Sequence, residues 1–302
     1  MVDVQRYKPS DLAQVIEFLR EVHLIYPEIE APEPAAFQAF AEQPANLDGR
    51  DFWLACSHSK LLGLLLSGRY QVTDRDQPIR GFRIITNPVG RALGATEQLL
   101  TVLNNQDANI AVIQRTVLPG GRSSSALSLE SEGFSRVQTI RVLRRQGPPP
   151  QLPKLADGFT VRDAEHERDT LELTRLQNAA NRMQFGFAPL TTEELAETMA
   201  APGGRLLVLE NPMNEVIGSV QTLPYYDGYG VLYGVQVASE YRSRGFGRYL
   251  VSLALSVLAQ SGFRCVELST DATNVHALAL YEKLGFQSWR EDATYERLTQ
   301  NV

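Results

Sequence analysis

A strand, a turn with two glycines and a helix start follow one another in the last third of the chain. Val231-Leu-Tyr-Gly-Val-Gln-Val237 reads as the strand and Arg242-Ser-Arg-Gly-Phe-Gly247 as the turn. The residues beyond read as an amphipathic helix with Leu250, Ala254, Val257 and Leu258 on its apolar face. A helix start presents backbone N–H groups without intrahelical partners, together with the positive end of the dipole. Gly245 and Gly247 let a ligand approach the backbone with no Cβ in the way. Arg242, Arg244 and Arg248 add charge that pairs with phosphate oxygens. The combination is a place to hold phosphates. The turn has neither the Gly-Lys-Ser/Thr of a P-loop nor the Gly-x-Gly-x-x-Gly of a dinucleotide fold, which disfavours both.

A second segment lies about 30 residues on. Asn274-Val-His-Ala-Leu-Ala-Leu-Tyr281-Glu-Lys-Leu-Gly285-Phe286 reads as a helix closed by a glycine just past its end. Asn274, Ala277, Leu278 and Tyr281 fall on one face of that helix.

In this order and separation, Arg242-x-x-Gly245-x-Gly247 and Asn274-x-x-Ala277-x-x-x-Tyr281-x-x-x-Gly285-Phe286 resemble the GNAT family of N-acetyltransferases. The resemblance implies acetyl-CoA as co-substrate. Its pyrophosphate would lie on Arg242, Ser243, Arg244, Gly245, Phe246, Gly247 and Arg248. The backbone of Val235, Gln236 and Val237 would hydrogen-bond the pantetheine as a strand does and offer an N–H to the thioester carbonyl. Asn274 would contact the pantetheine arm. Tyr281 would stand near the sulfur and protonate the departing thiolate. A tyrosine near its usual pKa of about 10 holds its proton at pH 7 and can give it to a thiolate. An alkyl ammonium must also lose a proton before it attacks. Asp227, Tyr233, Glu267 and an ordered water are all candidates for that base, and the sequence does not choose among them. The implied reaction is transfer of acetyl to a primary amine of a small molecule or peptide. The alternatives are transfer of another acyl group and a non-catalytic acyl-CoA sensor, which Tyr281 disfavours.

The first half repeats the second in degraded form. Arg91-x-x-Gly94-x-Thr96 aligns with Arg242-x-x-Gly245-x-Gly247 at an offset of 151 residues, and Gly133-Phe134 with Gly285-Phe286 at an offset of 152. Between the halves, Gln146-Gly-Pro-Pro-Pro-Gln-Leu-Pro153 can continue neither a helix nor an inner strand. The expected organisation is a degenerate GNAT-like domain over 1–145, a proline-rich linker over 146–157 and an acetyltransferase domain over 158–302. Each domain is expected to be an α/β (α+β) mixed sheet layered by helices. Thr96 stands where the second glycine would be, Arg122 in the asparagine place and Leu129 in the tyrosine place. The first half therefore carries no catalytic role by resemblance, and acetyl-CoA contact through Arg91 and Arg122 stays open. Family acceptor loops would correspond to Arg182–Leu190, where Phe185 and Phe187 form either an apolar wall or a packed lid, and to His23–Glu30.

Composition narrows the remaining classes. The net charge of −6 disfavours nucleic acid as a partner. No apolar run approaches the roughly 20 residues of a membrane span, and the N-terminal residues have no signal-like apolar core. Cys56 and Cys265 fall in strands expected to be buried in different halves, which fits free thiols in a reducing cytoplasm. His166, His276 and the cysteines show no metal-ligand spacing, so no metal is expected. A tandem pair is expected as a monomer or a homodimer.

Overall fold

The structure, a computed structural model, describes residues 2–29, 31–43, 46, 49–72, 78–108, 110–121, 123–200, 203–224 and 228–299. The first half runs β1 (Asp3–Arg6), α1 (Leu12–Ile25), α2 (Pro34–Glu42), β2 (Trp53–Ser57), β3 (Lys60–Val72), β4 (Pro78–Thr86), α3 (Pro88–Ala92), α4 (Ala95–Gln106), β5 (Ile113–Leu118), α5 (Ser123–Ser131) and β6 (Ser135–Gln146). The second half repeats this order without the short α3. It runs β7 (Thr160–Asp163), α6 (His166–Asn181), α7 (Thr192–Met199), β8 (Arg205–Glu210), β9 (Val216–Pro224), β10 (Gly230–Val237), α8 (Phe246–Gln260), β11 (Cys265–Asp271), α9 (Val275–Lys283) and β12 (Gln287–Leu298). No described helix is long and apolar enough to cross a membrane.

The chain divides into two compact units, Met1–Gln138 with Asp292–Val302, and Thr139–Glu291. These are not the halves 1–145 and 158–302 drawn at the prolines. Each unit takes its closing strand from the other half. In the first unit the strand order is β1-β2-β3-β4-β5-β12, with Ala293–Leu298 antiparallel to β5. In the second it is β6-β11-β10-β9-β8-β7, with Ile140–Gln146 antiparallel to β11. Hydrogen-bond demand explains how either strand can serve: β5 and β11 each need an antiparallel neighbour on one edge, and the repeat supplies two nearly equivalent strands.

Both units bury two faces. In the second, Leu207 and Leu209 of β8 enter the large cluster with Leu250, Ala254 and Leu258 of α8 and Leu278 of α9. The alternate residues Leu206 and Val208 face Leu173 of α6 and Leu195 of α7. This is the period of two that a strand covered on both faces must show. In the first unit α1 and α2 cover one face through Val15, Phe18, Leu19 and Phe37, and α4 and α5 the other through Leu99, Leu103 and Leu129.

Some elements depart from expectation. The strand expected at Ile110–Gln114 forms at Ile113–Leu118, because a turn from Asp107 to Ile110 follows α4, closed by the Ile110 N–H donating to the Asp107 carbonyl. Cys56 and Cys265 are half-buried free thiols rather than core residues.

The start of α6 is fixed by charge. Arg162 of β7 donates through Nη1 and Nη2 to the two carboxylate oxygens of Asp169, at 2.6 and 2.7 Å, and also to Glu210 of β8. Asp169 is 1% exposed. Burial pushes its carboxyl up, but the Arg162 bonds, the Glu165 N–H and the nearby charges outweigh this and leave it below its ordinary value. A carboxyl depressed on folding contributes stability above its unfolded pKa, which is lost as pH falls through the folded value. Asp169→Asn should therefore cost about 3 kcal/mol at pH 7. In thermal melts, the gap between variant and parent should close as pH drops below about 4.

Candidate active site

The site begins with two parallel strands that separate. β10 and β11 are in register only at Gly230–Val266 and Val231–Glu267. β10 then continues to Val237 and β11 to Asp271 with no pairing between them. The β11 edge of β10 from Leu232 to Val237 thus has no strand partner and lines a slot. On its other edge β10 pairs with β9, and the register slips between Tyr233 and Gln236. One extra residue of β10 is accommodated there as a bulge, which re-aims the backbone. Gly234, at φ +54°, supplies the conformation. Gln236 is buried and its Oε1 accepts from the Ser219 hydroxyl at 2.9 Å, which pins the bulge.

Beyond Val237 the chain turns through Ser239–Tyr241 into the glycine loop. Arg242 is exposed and its Nε donates to the Val237 carbonyl at 3.0 Å, closing the loop on the end of the strand. Arg244 lies over the Tyr241 ring at 5.3 Å. Phe246, expected among the cofactor contacts, has its side chain buried against Phe159 and Tyr241, so only its backbone faces the loop. Ser243 and Gly245 have φ of +61° and +89°. A Cβ on Gly245 would meet nothing within 4 Å, so φ and not room demands glycine there. Gly245 is the N-cap of α8, no side chain caps that end, and its first turn holds no acidic residue. The N–H groups of Phe246, Gly247 and Arg248 precede the first intrahelical donor, Tyr249, and remain for an anion.

α9 carries the other expected residues. Asn274 is its N-cap, with Oδ1 accepting from the Ala277 N–H at 3.2 Å. Leu280 of α9 would touch a Cβ on Gly247 at 3.4 Å, which brings α9 against the start of α8. Tyr281 is buried, edge-on to Phe286. Burial pushes its hydroxyl up to about 12, so the group keeps its proton throughout the neutral range.

Residues 170–286 match the model of the acetyltransferase (GNAT) family. The mycothiol acetyltransferase of Tsukamurella paurometabola is 31% identical over 225 residues, covering 68% of this chain and 73% of the relative. The chain belongs to the GNAT family. A similar relative, the mycothiol acetyltransferase of Kytococcus sedentarius, is 28% identical over 297 residues, 89% of this chain and 96% of its own. Among solved structures, a GNAT acetyltransferase from Sphaerobacter thermophilus matches with TM-score 0.80 at 17% identity, over 99% of this chain and 96% of that one. A tandem GNAT protein from the clavulanic acid biosynthesis pathway matches over the full length of both, with TM-score 0.78 at 13% identity. The chain is a tandem GNAT N-acetyltransferase.

The first copy keeps the glycine N-cap but differs at the loop before it and at the residues around it. Pro88–Ala92 forms helix α3 where the second copy has only the short turn Ser239–Tyr241, and a Cβ on Gly90 would run into the Leu62 carbonyl. Arg91 packs over the Tyr26 ring at 5.7 Å. Thr96 is buried, its hydroxyl 3.4 Å from that of Thr86. Leu129 is buried in the core. Helix α4, capped by Gly94 at φ +81°, has Glu97 in its first turn, at the position that Arg248 holds in α8. That carboxylate is exposed, accepts through Oε1 from the Ser128 hydroxyl at 3.4 Å and opposes a second anion at this helix start. Arg122 lies outside the described residues.

Of the candidate bases, Asp227 lies outside the described residues. Tyr233 is 47% exposed on β10. Glu267 accepts through Oε2 from Arg144 Nε at 2.7 Å. Arg144 in turn lies 4.2 Å from the Trp289 ring and 5.2 Å from the Tyr229 ring. Arg144 and Trp289 were not expected from the sequence: no motif marks them, and only the strand exchange brings Arg144 of the first half to Glu267. Phe185 and Phe187 are half-buried in a loop that Asn178 closes by bonds to both the N–H and the carbonyl of Leu190. A cavity of about 540 Å³ lies between α6 and the start of β9, with Arg175, Leu176, Ala179, Val237, Ala238 and Arg242 in its walls. It too was not foreseen, because α6 carries no motif. His276 is exposed on α9.

The contrast between copies is testable. Arg242→Ala should weaken acetyl-CoA binding by about 1.5 kcal/mol, roughly tenfold, in a calorimetric titration. Arg91→Ala should leave the affinity unchanged.

Proposed function

We propose that the second unit transfers the acetyl group of acetyl-CoA to the primary amine of a small molecule related to mycothiol. The substrate class rests on the names of the relatives, and the placement of the reaction on the slot between β10 and β11. What supports the reading is a helix start suited to an anion, a strand edge of β10 with no neighbouring strand, and a protonated Tyr281 in the core cluster that Leu232, Val235 and Val237 of β10 also join.

On this reading the N–H groups of Phe246, Gly247 and Arg248, with Arg242 and Arg244, hold the pyrophosphate. Gly245 keeps the loop in the shape that exposes them. Val235, Gln236 and Val237 hold the pantetheine as a third strand would. The bulge turns one of their N–H groups toward the thioester carbonyl, where a donor gains strength as negative charge develops on the oxygen. Asn274 fixes the start of α9 and so the height of Tyr281. The neutral amine attacks the carbonyl carbon, the carbon–sulfur bond breaks, Tyr281 gives its proton to the thiolate, and the proton released from the new amide nitrogen goes to solvent, from which Tyr281 is later reprotonated. The Tyr281 hydroxyl is protonated at neutral pH, and its burial excludes water from the transfer. The first unit keeps the fold with Glu97 in the anion position and Leu129 in the acid position. Its part in the reaction is structural.

Tyr281→Phe removes the acid and leaves the ring. It should lower kcat by about 10²–10⁴-fold with acetyl-CoA affinity kept within about twofold. Unchanged turnover would assign the proton to another group. A non-catalytic acyl-CoA sensor would bind acetyl-CoA and release no thiol with any amine.

A further inference from the structure

The geometry points to Glu267 as the anchor for the acceptor's ammonium group, with Arg144 as the residue that positions it. The inference rests on the reading of the β10–β11 slot as the acetyl-CoA site. The phosphate loop stands at the open end of that slot, beyond Val237, and the slot closes where the strands regain register at Val231–Glu267. A thioester entering from the loop therefore points its acyl end toward this pair. Val266 and Leu268 lie in the same core cluster as Tyr281. Glu267, between them, projects from the opposite face of the sheet. Glu267 thus lies at the closed end of the slot, on the face of the sheet opposite the cluster that holds Tyr281.

The carboxylate is prepared for a second cation. Its Oε2 accepts from Arg144, and Oε1 carries no bond among the described residues. Arg144 lies over the Trp289 and Tyr229 rings, so part of its attraction is directed to two ring faces rather than to Glu267. Trp289, which lies against Arg144, is 54% exposed, and Tyr233, two residues beyond the Val231 that pairs with Glu267, is 47% exposed. The arrangement suits a primary ammonium carried on an apolar or flat body. The proton of that ammonium leaves to water before attack. Glu267 supplies charge complementarity and does not act as the base.

Calorimetry on CoA-loaded protein tests this with 2-phenylethylamine against the neutral 2-phenylethanol. The parent should prefer the ammonium at least tenfold, and Glu267→Gln should reduce that preference to near unity with acetyl-CoA affinity unchanged. Should the single variant not fold, the double variant Glu267→Gln with Arg144→Gln leaves no unpaired charge and carries the same expectation. Equal affinity for both probes in the parent, or a preference that survives loss of the Glu267 charge, would overturn the anchor. So would a hundredfold loss of kcat at unchanged KM in Glu267→Gln, which would make Glu267 the base. A parent that shows the preference but releases no thiol from acetyl-CoA would refute the acetyltransfer reading and leave the anchor standing.

Discussion

Parallel strands that pair for two residues and then part leave one edge of β10 without a neighbouring strand. Everything else in the second unit is arranged around that separation of β10 from β11. The Tyr233–Gln236 bulge turns the free edge, the Ser219–Gln236 bond holds the bulge, and α8 begins at the open end with its N-terminus uncapped. Unpaired N–H and C=O groups in a half-buried slot are costly unless something binds them. The family's chemistry uses that demand, since a pantetheine arm has the amides to answer it.

The two copies show how little separates a binding loop from a structural turn. Both have an arginine three residues before a glycine of positive φ at a helix N-cap. In α4 the first turn carries Glu97, and Thr96 takes the place of the second glycine. In α8 the same places hold Arg248 and Gly247. One charge reversal turns a helix start that attracts phosphate into one that supplies its own anion. Leu129 stands where the second copy has Tyr281, buried in the core and without a hydroxyl.

Much of this was legible in the residues. Gly285 marks the end of α9 and the apolar spacing of α8 predicts its buried face, because both follow from local backbone chemistry, whereas Gly245, read as making room for a ligand, is required for its left-handed φ. The glycine loop and the Asn274–Tyr281 helix carry the family resemblance at fixed spacing. What could not be read is what the sheet assembles. The exchange of β6 and β12 leaves no local mark, since the two strands are repeats of each other and either satisfies the same edge. Arg144 reaches Glu267 only through that exchange, and Trp289 reaches Arg144 only at the start of the last strand. The slip at Gly234 is likewise a property of pairing, where a glycine in a strand could as well have marked close approach to a neighbour. Phe246 fell inside the motif yet serves the core, because a motif records positions and not which atoms face the ligand.

Amide hydrogen exchange with and without saturating acetyl-CoA tests the central claim, that the free edge of β10 and the start of α8 form the cofactor site. The amides of Val235 to Val237 and of Phe246 to Arg248 should slow markedly on binding, while those of residues 88–97 keep their rates. Protection confined to residues 88–97, or none at β10 with acetyl-CoA bound, would contradict it.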